Sequence, residues 1–549
     1  MKYFNFFRSK GFNYSDEVLT NFALSLKTKP FVILSGISGS GKSKIAQIFS
    51  EFLVDDLSKQ FAFMSVKPNW KDSKDLLGYH NIITDEYETT PFLNLLIRAA
   101  KEPDKPFFLL LDEMNLAKVE HYFSDFLSCI ESRNYIEQTT TTATTEEEVI
   151  TRLNSLYTDR PTVSEAIVLS AFDLKEKGYS VHTQFYLIEE YRNNRFSQWW
   201  YNSFSSSKNW TAQYRSEFNQ GDNRLANRLF ESPSGGKVYR LKQESELRGT
   251  ELTRYKEIEE KYFQLTKANT LTNKVITQEP MILHSKVNSL PSTDSAYPSK
   301  IINNVSTAAD WYDDATNTYF IPSKLEIPVN IFVVGTVNID ETTYMFSPKV
   351  LDRANLIEFN DVDISSIFDT PSTTTGQPFK LQNDPILLPL ELATLQLSQG
   401  LATSNPDVMN DLLEIFKLLE KYNLHFGYRV INEVSLYITN ALKDVTTYQN
   451  LAGDALDFQL LQKVLPKFNG SIQKLWDPFV EILSYIRISN ATPLQAEQLN
   501  SMTTQLFNKE LVKVTNADYT SVFKYPRTAK KLLILLRNLE NYGFTSFIE

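Results

Sequence analysis

The chain has 549 residues, too many for one compact core at the usual ~100 to 200 residues per domain, so about three structural units are expected. Hydrophobic residues at 42% and charged residues at 22% can bury a sizeable core and exclude a largely disordered chain. A formal net charge of −10 excludes a chain-wide polyanion binder, and a single cysteine, Cys129, excludes an intrachain disulfide framework and fits a reducing, cytoplasmic setting.

The opening MKYFNFFRSKGFNYSDE has no apolar stretch of signal-peptide length. No later apolar run reaches the ~20 residues needed to cross a bilayer, so a protein neither secreted nor integral to a membrane is expected. Val18, Leu19, Phe22, Leu24 and Leu26 fall near helical spacing and predict a helix over 15–27, and PFVILSG then reads as a buried strand. Ile45, Ile48, Phe49, Phe52 and Leu53 predict a second helix, followed by a strand, FAFMSV, that ends near Val66. Next come a helix, PFLNLLIRAA (91–100), a strand, PFFLLLDE (106–113), and one further helix, VEHYFSDFLSCIESR, from about 119 to 133. This alternation predicts an α/β fold with a parallel sheet covered by helices on both faces.

The rhythm stops at TTTTATTEEE (139–148), a polar low-complexity stretch, and the next buried-strand signal is NIFVVGTVN (330–338). The expected organisation is a first part of the core over 1–133, an inserted domain over 134–327 and a second part of the core over 328–368. A helical lid and C-terminal domain over 369–549 completes it. The last boundary rests on the linker-like DTPSTTTGQP (369–378), on the helical period of Val434, Tyr437, Ile438, Ala441 and Leu442, and on AKKLLILLRNLENYGF with Gly543 as its C-cap.

Gly36-Ile37-Ser38-Gly39-Ser40-Gly41-Lys42-Ser43 fits G-x-x-x-x-G-K-[ST] and lies between a predicted strand and a predicted helix, as a phosphate-binding loop must. The glycines let backbone N–H groups curl around phosphate oxygens, and the helix N-terminus adds partial positive charge. Lys42 reaches the outer phosphates, and Ser43 can ligate Mg²⁺. Leu109-Leu110-Leu111-Asp112-Glu113 is a buried strand ending in two carboxylates. Asp112 is the expected second metal ligand, and Glu113 the group that orients and deprotonates an attacking water. Asn338, at the end of another buried strand, can hydrogen-bond the γ-phosphate or that water. Arg353 sits where ring NTPases place an arginine that reaches a neighbour's γ-phosphate, or else is a surface arginine paired with Asp352.

Together these segments resemble the NTPase subunit of McrB-type restriction systems, a branch of the AAA+ ring ATPases. The resemblance covers roughly 15–133 and 328–549. Beyond the phosphate loop it is carried by Asn69-Trp70 through Asp75-Leu76-Leu77-Gly78-Tyr79, Asp112-Glu113-Met114-Asn115, Gly335-Thr336-Val337-Asn338, Phe426-Gly427-Tyr428-Arg429, Gln462-Lys463-Val464-Leu465-Pro466-Lys467 and Gly543-Phe544. It implies an AAA+ core with Asn338 as first sensor, Arg353 as finger and Arg429 as a nucleotide-sensing lid arginine. It also implies GTP or ATP with Mg²⁺, a hexameric ring, DNA as the object of the motor and a separate McrC-like nuclease subunit. The chain departs from the family where Met-Asn-Thr-Ala-Asp-Arg is usual, reading Val337-Asn338-Ile339-Asp340-Glu341-Thr342, and the family's arginine there is missing. A MoxR-like chaperone that remodels protein would use the same active site.

About 30 residues precede the phosphate loop, so contact with DNA or a partner is expected in the insertion. Its stretch 191–215 has Arg192, Arg195, Lys208 and Arg215 with no acidic residue, interleaved with Tyr191, Phe196, Trp199, Trp200, Tyr201, Phe204, Trp210 and Tyr214. Such a stretch is either a surface where bases stack and phosphates meet cations, or the core of a small domain. Helical patterns near 164–177 and 209–219 and a glycine-tipped hairpin, PSGGKVYRL (233–241), distantly resemble a winged helix. The five histidines show no metal-ligand spacing.

Overall fold

The computed structural model describes residues 2–83, 86–142, 145–157, 162–176, 194–204, 228–231, 240–266, 269–284, 299–302, 308, 311–316, 318–339, 344–359, 379–488, 498, 501–502, 504 and 519–548. They form two compact units, one of 1–135 with 276–549 and one of 136–275.

The first unit is built on five parallel strands, β1 (Phe31–Gly36), β2 (Phe61–Ser65), β3 (Phe107–Asp112), β4 (Ile331–Asn338) and β5 (Asn355–Glu358), in the order β5-β1-β4-β3-β2. β1, β3 and β4 read as near-continuous apolar runs because helices cover both of their faces, and every residue of β1 is buried. β2 is the edge, and its burial alternates, with Phe63 exposed. Register places Gly36 beside Asn338 and Asp112 beside Ser65, so the chemistry-bearing residues share the C-terminal edge of the sheet.

Flanking helices start where the sequence supplies caps. Ser15 accepts from the Val18 N–H at the head of helix Asp16–Thr28, and Thr90 from the Leu93 N–H before helix Pro91–Lys101, whose first residue is proline. A helix over Lys2–Ser9, not expected from the sequence, buries Tyr3, Phe4 and Phe7, and the Tyr3 hydroxyl donates to the Leu19 carbonyl at 3.0 Å. Burying each such ring stabilises the fold by about 1.5–3 kcal/mol. The expected single helix over 119–133 is two, Val119–Tyr122 and Ser124–Glu131. Phe123 between them leaves α geometry at φ −111°, ψ 4° and is buried against Phe126, ring centroids 4.5 Å apart.

Whereas the sequence suggests an insertion running to 327, residues from 276 onward pack with the core. Arg98 donates to the Tyr319 hydroxyl at 2.5 Å, and Arg133 to the Ile327 carbonyl at 3.0 Å. Asn330, fully buried, donates to the carbonyls of Ala99, Glu102 and Lys105. The strands there, such as Met281–Ile282 and Lys324–Leu325, are only two residues long and leave no periodicity to read.

The C-terminal part of the first unit contains helices Leu395–Ser404, Pro406–Glu420, Tyr428–Asp444, Leu451–Gln459, Ile472–Ile486 and Pro526–Tyr542. Gly543 caps the last in the left-handed region at φ 72°. Helix Leu451–Gln459 runs into one π turn, Leu460–Val464, and a short 3-10 turn, Leu465–Lys467.

In the second unit, helices Glu146–Leu156, Val163–Glu176, Arg195–Phe204 and Gly249–Thr266 surround a small core. Phe196, Trp199 and Trp200 are buried in it, and Arg195 is paired with Asp173. The described part of the basic, aromatic stretch is therefore core and rim, not a stacking surface. Tyr191, Arg192, Lys208, Trp210, Tyr214 and Arg215 lie outside the described residues, as do 209–219 and most of the 233–241 hairpin, whose bases pair as Phe230–Glu231 with Arg240–Leu241. No helix among the described residues is long and apolar enough to cross a membrane.

Candidate active site

The loop Gly36–Ser43 joins β1 to helix Lys42–Leu53. Gly41 precedes the helix at φ 92°, a conformation that favours glycine, and a Cβ there would lie 2.6 Å from the Tyr14 hydroxyl, which donates to the Gly41 carbonyl. A Cβ at Gly36 would meet the Phe359 carbonyl oxygen at 2.5 Å, so β5's exit holds the loop's first residue closely. The buried Lys42 ammonium donates to the Gly36 and Ile37 carbonyls at 2.9 and 2.6 Å, so the loop curls around its own cation. Together with Ser38, Gly39 and Ser40 this is the cradle expected for the nucleotide's phosphates.

Four side chains interlock beside it. Ser43 Oγ donates to Asp112 Oδ1 at 2.6 Å, and Thr336 Oγ1 donates to the same oxygen at 2.7 Å. The Thr336 hydroxyl in turn accepts from the Glu113 backbone N–H at 3.1 Å, and Asn338 Nδ2 donates to Glu113 Oε1 at 3.4 Å. Thr336 is the member to which the sequence reading gave no role. Its signal was its place two residues before Asn338, which puts both side chains on the same face of β4.

Glu113 is one of two described non-glycine residues at positive φ, at 55° with ψ 49°. Strain of this kind costs about 1–3 kcal/mol and persists where the surroundings impose it, here the Thr336 and Asn338 contacts. It turns the carboxylate off the strand axis toward Asn338, as a group meant to orient a water needs.

Ser43 and Asp112 are hard oxygen donors already at hydrogen-bond distance, a set that suits Mg²⁺, which takes few protein ligands and shares the rest with water and phosphate. Among the described residues no cluster of three or more His, Cys, Asp or Glu side chains offers an all-protein metal site. Bound there, the ion would neutralise charge building on the phosphates.

The two arginines gather elsewhere. Arg353 and Arg429 both pair with the carboxylate of Glu131, and Arg353 Nη1 also donates to the Lys349 carbonyl at 2.7 Å. The expected alternative of an Arg353–Asp352 pair is not what forms. Asp352 pairs with Lys467 instead.

Residues 31–171 match the family model of the AAA domain, dynein-related subfamily. This chain contains an AAA+ core. The strand order, the phosphate loop and the match together support a nucleotide-hydrolysing AAA+ motor. The matched region ends before Thr336 and Asn338, whose place in the AAA+ site comes from β4's register and hydrogen bonds. Residues 390–544 match a domain of unknown function, DUF8727, and no curated protein matches the chain.

Proposed function

We propose that this chain is the Mg²⁺-dependent, GTP- or ATP-hydrolysing ring motor of a McrB-like restriction system, acting on DNA with a separate McrC-like nuclease subunit. The observation that carries the hydrolytic part is the Ser43–Asp112–Thr336–Glu113–Asn338 network. It sets a metal-binding pair and a water-orienting carboxylate side by side at the strand ends, next to the phosphate loop. Lys42 would hold the outer phosphates, Glu113 would take the proton of the attacking water, and Asn338 would fix the Glu113 carboxylate or the water.

The restriction part is supported by the order of the motifs in the sequence, from the loop through Asp112-Glu113-Met114-Asn115 to Gln462 through Lys467. Arg353 is the candidate finger acting on a neighbouring copy, and Arg429 the lid arginine.

The test is hydrolysis and fluorescent-nucleotide binding by two variants. Lys42→Ala should abolish tight binding. Glu113→Gln should bind normally and turn over ~10²-fold more slowly or worse. Equal loss of binding in both would sink these roles. Mass spectrometry of what copurifies with Glu113→Gln then decides the system: a nuclease and DNA support restriction, whereas a remodelled protein complex supports a MoxR-like chaperone.

A further inference from the structure

Arg353 lies in a turn between helix Pro348–Leu351 and β5, where its neighbours' carbonyls have no place in a regular ladder. Those carbonyls are held by lysines from elsewhere. Lys463 Nζ donates to the carbonyls of Asp352 and Ala354 at 3.1 and 2.8 Å, one on each side of Arg353, and Lys29 Nζ donates to the Asp352 carbonyl at 3.1 Å. Both ammonium groups converge on the Glu433 carboxylate, Lys463 at 2.6 Å, and Lys467 pairs with the side chain of Asp352. Lys463, Lys29 and Glu433 are all buried.

Burying ions costs several kcal/mol apiece, and an apolar cluster of equal volume would stabilise the fold as well or better. What the ions add is location. Three cations fix the backbone on both sides of one arginine, and two of them come from the Gln462–Lys467 motif, which the hydrolytic cluster does not use. Glu433 stands one turn after Arg429 on helix Tyr428–Asp444, so that helix meets the arginine segment both through Glu433's lysines and through Glu131.

We propose that Lys463 and Lys467, anchored by Glu433, are positioning residues for Arg353, coupling the placement of the finger to the C-terminal helices. This rests on the reading of Arg353 as a finger acting on a neighbouring copy.

The experiment is complementation between full-length variants. Lys463→Met should slow turnover about 10- to 100-fold, as loss of a positioning contact does, with fluorescent-nucleotide affinity within about twofold of the parent. Mixed with Lys42→Ala, which supplies intact fingers, it should recover turnover; mixed with Arg353→Ala it should not. The double variant Lys463→Met, Arg353→Ala should be no slower than Arg353→Ala alone.

Recovery with Arg353→Ala, or an affinity loss like that of Lys42→Ala, overturns the inference. If Arg353→Ala is rescued by Lys42→Ala and Lys463→Met is not, the inference alone falls. If Arg353→Ala is itself not rescued in proven mixed assemblies, the finger reading falls and takes the inference with it. Should Lys463→Met fail to fold, Lys467→Ala, a partly exposed side chain, should show the same pattern at smaller amplitude, and parental turnover in it overturns the proposal.

Discussion

The strand-end half of the site and its arginine half are built on opposite principles. Ser43, Asp112, Thr336, Glu113 and Asn338 come from adjoining elements of one rigid sheet and bond to each other. Arg353 and Arg429 come from a turn and a helix start, and their charges are satisfied by Glu131, outside that cluster. The first half is preorganised within one chain. The second is held in reserve, because an arginine paired with a local carboxylate must leave it before it can serve a phosphate on another subunit.

The strongest way to break this contrast is Arg353→Ala. If the arginine half completes a neighbour's site, turnover should fall about 10³-fold, and mixing with Lys42→Ala should restore part of it. A steady-state assay alongside native mass spectrometry reads both, and a mixture no more active than its parents, in proven co-assemblies, would make Arg353 a structural residue.

Thr336→Val tests the other half. It keeps the shape and removes the hydroxyl linking Asp112 to the Glu113 backbone, so kcat should drop about 10-fold or more and the requirement for Mg²⁺ should rise. A magnesium titration of activity checks it, and a parental curve would show that the hydroxyl only fills space.

Glu131→Gln sharpens the idea of a reserve. Partly exposed pairs are worth about 0.2–1 kcal/mol, so releasing both arginines should raise turnover by no more than about two- to fivefold, most clearly at low protein concentration. Lower turnover would instead mean that Glu131 aims the arginines.

A further test uses pH. Burial opposes charge on Glu433, but Lys29 and Lys463 outweigh it and hold the carboxyl down to about 2, below its ordinary 4.5, while burial pushes Lys29 down to about 7. A carboxyl depressed on folding stabilises the native state above its ordinary value, and that stability is lost as pH falls through 4.5 toward 2. Glu433→Gln should therefore lower stability by about 3–5 kcal/mol at neutral pH, since it strands two buried ammonium groups. The gap in Tm between it and the parent should close below pH 4.5. A constant gap from pH 7 to 3 would contradict this assignment.

What the sequence showed plainly was whatever is local. The phosphate loop, the carboxylate pair at 112–113 and the alternation of strands and helices depend on spacings of a few residues, and each lies where it was expected. Thr336 was different: its partners are more than 220 residues away, and nothing in the spacing of β4 tells a threonine bonded to Asp112 from one that lines a sheet. The Glu131 pairs likewise span 222 and 298 residues. Trp199 and Trp200 misled for another reason. An aromatic, basic run has the same composition whether its rings stack on bases or on Tyr157 and Phe204, and the ring contacts of Trp199 settle it for the described part.

The π turn at Leu460–Val464 has a consequence for chain length. It holds one residue more than an α turn would, and an α-helix advances about 100° per residue. Deleting a single residue there would let the turn relax to α geometry and swing everything after it by about that angle, carrying Lys463 and Lys467 away from Asp352 and Ala354. A conservative exchange of Leu460 or Val464 leaves that phase intact. For this segment, the count of residues matters more than the identity of most of them.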